Sequence, residues 1–594
     1  MDRTFGTFLL VAVNAKYIHS NPAIYSLRAY AGEAFRPYIS LAEYTINNRM
    51  QDILSDIYKR KPDVIGFSCY IWNWDMIRRL LRELPKVLPE TRIWLGGPEV
   101  SFHGDALLRE FPQVRGIMLG EGEATFKELM SYYVYGDRQL EEIAGLCLPE
   151  GVTPCREPID MNELPFLYTD LLPFENRIIY YETSRGCPYH CSYCLSSIEK
   201  KLRFRDREVV KKELQFFLEH RVKQVKFVDR TFNCDHTHAM AIWEYIKEHD
   251  NGVTNFHFEI SADILREDEI ALLNQLRPGQ VQLEIGVQST NSQTIEAIER
   301  RMDVEKLERI VAAVSRGKNI HQHLDLIAGL PYEDYESFRQ SFDRVYAMRP
   351  QQLQLGFLKV LKGSPMEEKT VQYGIRYLDN PPYELLCNKW LSFGEVLRLK
   401  RIEEVLELYY NSNQFRSTLL FLEKAFEGPF ALYEALADFY EEEGYFINSP
   451  ARSYRYQVML AFACRYDGSH EALYRELLTY DMYLRENLKS RPDFAVQPGR
   501  REREFIRSFY REEARSRRYL PEYRAYDGKQ LSKMTHMEHF AYPVWDGEKL
   551  LQLRGEPAKE LVGGYVLFDY EKRNPLTCEA KGLIIGNDKI ICEY

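Results

Sequence analysis

The sequence predicts an α/β protein: a doubly wound parallel sheet, then a partial barrel of about six strand–helix units, then a mainly helical C-terminal domain. Three observations carry that expectation. Apolar runs of strand length alternate with amphipathic helical patterns over residues 6–145. A second series of the same kind follows from residue 177, and beyond about residue 380 the pattern lengthens into amphipathic helices. Between the two series, Pro149, Gly151, Pro154, Pro158 and Pro165 break any period. The expected boundaries are 1–145, a linker at 146–176, 177–370 and 371–594.

In the first series, residues 7–13, 63–68 and 92–97 read as buried strands, with helices at 22–34 and 75–88 between them. Residues 116–123 continue the series, and a helix starts at Phe126. In such Rossmann-like sheets ligands sit at the carboxyl edge of the strands. Here that edge carries Asn14, Ser68, Gly96, Gly97, Pro98, Gly120 and Gly122, with Glu121 between the last two. In the second series, strands are expected at 178–184, 223–228, 255–261, 280–287, 320–328 and 352–360. Helices at 207–220, 236–249, 265–276, 291–301 and 334–347 separate them, the pattern of a partial (β/α)6 barrel of the TIM type. Further on, 385–410 and 453–464 read as helices, while 564–568 and 582–585 are strand-like.

At 594 residues, with 45% hydrophobic and 28% charged residues, the chain is long enough for several buried cores. That balance excludes disorder, collagen and coiled coil. No apolar run approaches the roughly 18 residues of a membrane helix, and the first residues do not lead into a secretory signal. With 78 Lys+Arg against 88 Asp+Glu, the net charge of -10 gives no global attraction to nucleic acid. The 11 cysteines are odd in number, which argues for a reducing cytoplasm over a disulfide framework.

Most cysteines are isolated in apolar surroundings and read as core residues, Cys464 among them. Three are not. Cys187, Cys191 and Cys194 stand in the spacing Cys-x3-Cys-x2-Cys on a loop leaving the first barrel strand. One loop so spaced can cap three corners of an iron–sulfur cube and leave the fourth iron open. A zinc site needs a fourth ligand, for which His190 or the Cys234/His236/His238 group stands near in sequence. A redox pair of Cys191 and Cys194 leaves Cys187 unexplained. Cluster ligation is the reading favoured.

This loop and the strands after it resemble the radical S-adenosylmethionine (SAM) superfamily, and the N-terminal domain resembles the cobalamin-binding domain of its cobalamin-dependent branch. The C-terminal part is similar to an uncharacterised domain found on some such proteins. The resemblance implies a [4Fe-4S] cluster on the three cysteines, SAM on the open iron and cobalamin in the N-terminal domain. It also implies reductive cleavage of SAM to a 5′-deoxyadenosyl radical. Carried over by position, Tyr193 fills the aromatic slot before the third cysteine, Asp229 ends the second strand near the methionine amino group, and Glu259 is a ribose contact. Gln288 contacts ribose or methionine, Arg301 stands where some members place an arginine for the carboxylate, Asp325 faces the ribose and Ile327 the adenine. Carboxylates suit hydroxyls and a guanidinium fork suits a carboxylate.

For cobalamin the resemblance points to the glycine-bearing strand ends named above and to the polar turn 14–22, where Ser20 or Asn21 caps the next helix. No Asp-x-His-x-x-Gly occurs, so no histidine of that motif meets cobalt; His19 and His103 are lone candidates. The first strand is not followed by Gly-x-Gly-x-x-Gly, against a dinucleotide site. The expected activity is methyl transfer to an unactivated carbon or phosphorus centre, the catalytic residues themselves not being legible. The competing readings are radical rearrangement, oxidation or sulfur insertion without methyl transfer, and a non-catalytic iron–sulfur or zinc module. The expected partners are a small-molecule or peptide substrate and a low-potential electron donor such as flavodoxin or ferredoxin, with no membrane. Nucleic acid is not favoured, although the arginine-rich stretch 500–518 reads as an amphipathic helix able to face it.

Overall fold

The computed structural model describes residues 5–554, 563–585 and 590–593. The first series folds as β1 (Phe8–Asn14), α1 (Pro22–Ala31), β2 (Ile39–Thr45), α2 (Met50–Arg60), β3 (Val64–Ser68), α3 (Trp74–Val87), β4 (Arg92–Gly96), α4 (Gly104–Glu110), β5 (Val114–Met118) and α5 (Gly122–Tyr135). Every residue of β1 and β3 is buried, which is why both read as continuous apolar runs. Helix α3 buries Ile77, Leu80, Leu81 and Leu84, the i, i+3, i+4, i+7 stripe of a helix lying on a sheet. Asn21 caps α1 by accepting from the Ile24 N–H at 3.3 Å, with Pro22 at the first helical position.

Two features depart from expectation. β2 lies outside β1 at the sheet edge, and its irregular burial gives no period to read. The stretch expected as a linker opens with β6 (Leu146–Leu148) and β7 (Gly151–Val152), which pair antiparallel beyond β5. The sheet order is β2-β1-β3-β4-β5-β6-β7, parallel from β2 through β5.

The second series begins with β8 (Ile179–Tyr181), then β9 (Ser184–Arg185), which pairs antiparallel with β10 (Arg203–Phe204) across the cysteine loop. Then come α6 (Arg207–Glu219), β11 (Gln224–Phe227), α7 (His236–Glu248), β12 (Asn255–Ile260), α8 (Glu267–Leu273) and β13 (Val281–Gln288). Strands β8, β11, β12 and β13 lie side by side in parallel. The helix expected at 291–301 stops early as α9 (Ser292–Ala297), and α10 (Val304–Ser315), not anticipated, follows. β14 (His321–Ala328), α11 (Tyr335–Ala347) and β15 (Gln352–Phe357) complete a series along the chain of five strand–helix units and a sixth strand.

The chain divides into two compact units, Met1–Ile320 with Ile327–Asp334 and Gly356–Phe393, and His321–Leu326 with Tyr335–Leu355 and Gly394–Tyr594. In the second unit, helices run from Arg416–Leu422 through Arg500–Ser516. They are followed by an antiparallel sheet of Thr535–Phe540, Gly564–Arg573, Ala580–Ile585 and Ile590–Glu593. Among the described residues no helix is long and apolar enough to cross a membrane.

Candidate active site

The cysteine loop is held by its backbone. The Ser192 N–H donates to the Ile298 carbonyl at 2.9 Å, and the Ser192 carbonyl accepts from the Met366 N–H at 2.8 Å. Cys187 and Cys191 are buried, Cys194 is half-buried, and all three are free thiols. Gly186 stands at φ 92°, and a Cβ there would lie 2.5 Å from the Lys201 carbonyl oxygen, so the residue before the first cysteine must be glycine. Each sulfur has a polar neighbour: Thr231 Oγ1 is 3.6 Å from Cys187, Arg300 Nη1 donates to Cys191 at 3.7 Å, and the Ser196 N–H donates to Cys194 at 3.4 Å. Burial pushes the Cys191 thiol pKa up, and the Arg300 guanidinium opposes it. Three thiols on one pinned loop, each with a donor or hydroxyl at hand, suit an iron–sulfur cluster.

Arg300, rather than the expected Arg301, turns toward this loop. Arg300 also donates to Tyr193 Oη at 3.3 Å and to the Gly286 carbonyl, whereas Arg301 is exposed. The cause is Glu299, whose φ of 57° ends the helical path and swings the next residue inward. Tyr193 is thereby fixed at the loop.

Asp229 is not placed to meet a ligand. It is fully buried at 0% exposure, and both its oxygens are engaged by Thr183 and Ser184. It positions the strand end that launches the cysteine loop. Glu259 and Glu284 occupy paired positions on β12 and β13, with Lys226 Nζ 3.7 Å from the former and 2.9 Å from the latter. His257 Nε2 lies 2.9 Å from the same Glu284 oxygen. Burial works to raise the Glu284 pKa, but His257 and Lys226 outweigh it and hold the carboxyl down at about 2.

A carboxylate so depressed adds stability that is complete above its unfolded pKa and is lost as pH falls from about 4.5 toward 2. The wild type should therefore lose up to about 3 kcal/mol more than Glu284→Gln on acidification through that window. Urea unfolding at pH 6, 4 and 3 measures it; identical pH slopes for the two proteins would remove this role.

Gln288 carries two marks of a ligand position. Its φ is 72°, rare for a residue with a Cβ, and its Oε1 is buried without a hydrogen-bond partner. A buried unpaired acceptor costs about 1–3 kcal/mol until something donates to it. The hydroxyls and amine of SAM are donors of that kind, so the residue fits the expected nucleoside contact. On β14, Asp325 and Ile327 share one face by alternation, and His323 Nε2 lies 3.0 Å from Asp325 Oδ1.

At the N-terminal sheet edge the expected residues divide. Asn14 is buried, donating to the His19 carbonyl at 3.1 Å and to Glu43 at 3.0 Å, and Ser68 accepts from Asn21 at 3.3 Å. Glu121 accepts from Arg203 at 2.6 Å and from the Ile159 N–H at 2.9 Å, with Arg185 at 3.2 Å. These three are internal ties, and Glu121 joins the β5–α5 turn to the cysteine-loop strands. Gly97, at φ 107°, clears the Cys69 carbonyl oxygen that a Cβ would approach at 2.5 Å; Gly96 and Pro98 flank it, half-buried. Gly120, at φ 69°, has nothing within 4 Å of its Cβ direction. Beside β1 and β3, Tyr17 and Trp72 are 63% and 44% exposed, and Trp72 stacks on Tyr70 at 4.3 Å. Exposed flat rings and an open glycine follow strands of one parallel sheet, at the edge where a planar macrocycle would lie. His19 Nδ1 is 2.5 Å from Tyr180 Oη, and His103 Nε2 is 3.4 Å from Glu367.

Comparison with known families matches three stretches of the chain. The B12 binding domain matches residues 9–130, the radical SAM superfamily residues 181–345, and a protein family of unknown function, DUF4080, residues 371–560. The chain carries a B12-binding domain, a radical SAM domain and a DUF4080 domain. The first two imply a [4Fe-4S] cluster, SAM and cobalamin as cofactors, as the cysteine loop and Gln288 suggest.

The chain is 26% identical over 370 residues to the cobalamin-dependent radical SAM methyltransferase TokK of Streptomyces tokunonensis, covering 54% of this chain and 51% of that protein. It is 31% identical over 215 residues to an uncharacterized methyltransferase of Pyrococcus horikoshii, covering 33% and 46%. It thus spans about half the length of the curated relatives it matches. The structure of the cobalamin-dependent radical enzyme OxsB with aqua-cobalamin bound shares the fold, with a TM-score of 0.56, 15% identity and 80% coverage of each chain.

Sequence reasoning missed Arg185, Arg203, Lys226, His257 and Arg300. For Arg185 and Arg203 one signal was present: two arginines flank a cysteine loop whose cluster needs no cation. The other three have partners that no local period announces.

Proposed function

We propose that the chain is a cytoplasmic radical SAM enzyme that transfers a methyl group to an unactivated carbon or phosphorus centre of a small-molecule or peptide substrate. The observation that carries this reading is the pinned loop of Cys187, Cys191 and Cys194 within a radical SAM domain that follows a B12-binding domain. When bound, the cluster supplies the electron that cleaves SAM, and cobalamin supplies the methyl carrier. The chain's own residues orient and enclose. Cys187, Cys191 and Cys194 hold the cluster, and Arg300 sets the charge at Cys191 while fixing the Tyr193 ring. Gln288 would offer its unpaired oxygen to a SAM donor, Glu259 would accept from ribose hydroxyls, and Ile327 would serve the adenine. Gly96, Gly97, Pro98 and Gly120 let backbone approach the macrocycle. A flavodoxin or ferredoxin supplies electrons. The two relatives compared above, both named as methyltransferases, favour methyl transfer over rearrangement or sulfur insertion.

The test is anaerobic reconstitution with iron, sulfide and cobalamin, followed by incubation with SAM and reductant. The expected products are 5′-deoxyadenosine and S-adenosylhomocysteine, both lost in Cys191→Ala. In Gln288→Ala, SAM affinity should fall about tenfold while the melting temperature of the free chain does not fall, since the oxygen removed is unpaired there. A failure to retain cobalamin, or 5′-deoxyadenosine without S-adenosylhomocysteine, would remove methyl transfer and leave the radical reading.

A further inference from the structure

We infer that the helix Arg500–Ser516 is a docking ridge for single-stranded RNA. Its basic residues are six arginines and no lysine, and the stretch 500–533 carries eleven basic against six acidic residues in a chain of net charge -10. Arg503, Arg507, Arg511 and Arg515 recur every fourth residue and are all exposed. They form one ridge with an arginine about every 6 Å. Arg500 pairs with Glu504 at 2.9 Å; among the described residues the other four make no ion pair. Their charge is therefore uncommitted.

The opposite face fixes the helix. Phe509 is buried, and Phe505, Ile506, Tyr510 and Ala514 pack on the core of the antiparallel sheet. Buried Glu513 accepts from the N–H groups of Tyr519 and Leu520 at 2.8 and 2.7 Å. The ridge cannot roll inward without exposing this core.

A rigid row of four forks about 18 Å long can meet up to four phosphates of one strand. The use of arginine throughout favours phosphate, which a guanidinium grips with two parallel hydrogen bonds where an ammonium is a point charge. At the C-terminal end, Arg518 lies over the Tyr519 ring at 5.2 Å, and Tyr526 is 37% exposed. Rings and guanidinium planes beside a cationic row are what unpaired bases stack on, which selects single-stranded RNA over a closed duplex.

The experiment is fluorescence anisotropy of the full chain with a labelled single-stranded RNA of about 30 nucleotides. With four phosphate contacts, affinity should fall about fiftyfold between about 50 and 200 mM salt, a log–log slope near -2.8. The triple variant Arg507→Ala/Arg511→Ala/Arg515→Ala should reduce the slope to about -0.7 without lowering the melting temperature, since the side chains face solvent. The matching Arg→Lys triple variant keeps the charge and should keep the slope while losing affinity several-fold. Absence of binding, salt-independent binding, or equal binding by wild type and the alanine variant would overturn the inference. So would tighter binding of duplex DNA, poly-glutamate or anionic-lipid vesicles than of RNA. Neither cluster nor cobalamin is needed for this measurement, so its outcome is separate from that of methyl transfer.

Discussion

Asp229→Ala should lower stability by about 3 kcal/mol and leave a chain that cannot retain cluster iron after reconstitution. The carboxylate accepts from Thr183 Oγ1 and Ser184 Oγ, each at 2.6 Å, and from the Thr183 N–H at 3.1 Å. His238 Nε2 lies 3.0 Å from the same Thr183 hydroxyl, so the network reaches from α7 to the head of the cysteine loop. Truncation strands the Thr183 amide and the Ser184 hydroxyl, and leaves the Thr183 hydroxyl only His238, at a site where Thr183 and Asp229 are both 0% exposed. The two stranded groups lose their partner without replacement. Asp229→Asn should cost less. Its oxygen can stay on the Thr183 N–H, and the two hydroxyls can rotate to accept from its amide. Urea unfolding and bound-iron assays on the two variants measure this. Were Asp229 a direct SAM contact, the asparagine variant would keep the wild-type unfolding midpoint and iron content and lose only SAM affinity; that pattern would defeat the positioning role.

The contrast between Asp229 and Gln288 shows what the sequence made legible. Motif order put both at strand ends of the barrel, and chemistry alone could not separate a carboxylate that faces a ligand from one turned into the protein. Backbone geometry separates them, since only Gln288 has a strained φ and an unpaired oxygen. Buried strands were readable because β1 and β3 are buried throughout and mostly apolar, whereas β2, half-covered at the edge, has no period. The cysteine loop was readable because its spacing is local. Arg300 was not, because the reversal that directs it inward is a single left-handed residue in what reads as a continuing helix. Glu121 was misread for a similar reason. A carboxylate after a strand and between glycines looks like a ligand contact, and its true partner Arg203 lies 82 positions away.

Arg185→Met should cost about 3–5 kcal/mol, because one guanidinium serves three carboxylates there. Its Nε lies 3.0 Å from Glu182, its Nη1 3.2 Å from Glu121, and its Nη2 2.7 Å from Glu123, with only 17% of the arginine side chain and 7% of Glu123 exposed. Burial opposes the charge, but Glu182 and Glu123 more than offset it and drive the Arg185 pKa upward. Arg185 and Arg203 face each other on the β9–β10 ladder and converge on Glu121, which opens helix α5 of the B12-binding domain. The cysteine loop and the cobalamin-side turn thus share one clasp, two residues ahead of Cys187. Lysine cannot replace the arginine, since a single ammonium cannot reach three carboxylates from three directions. Arg185→Lys should therefore lose most of what Arg185→Met loses. Adding Glu123→Gln to Arg185→Met should recover about half, by removing the most buried of the stranded charges. Chemical denaturation of wild type, Arg185→Met, Glu123→Gln and the double variant closes the cycle, and proteolysis in 146–176 reports whether the clasp keeps the connection closed. Additive effects of the two substitutions, with unchanged proteolysis, would mean that the pair is a surface contact of no consequence to the cysteine loop.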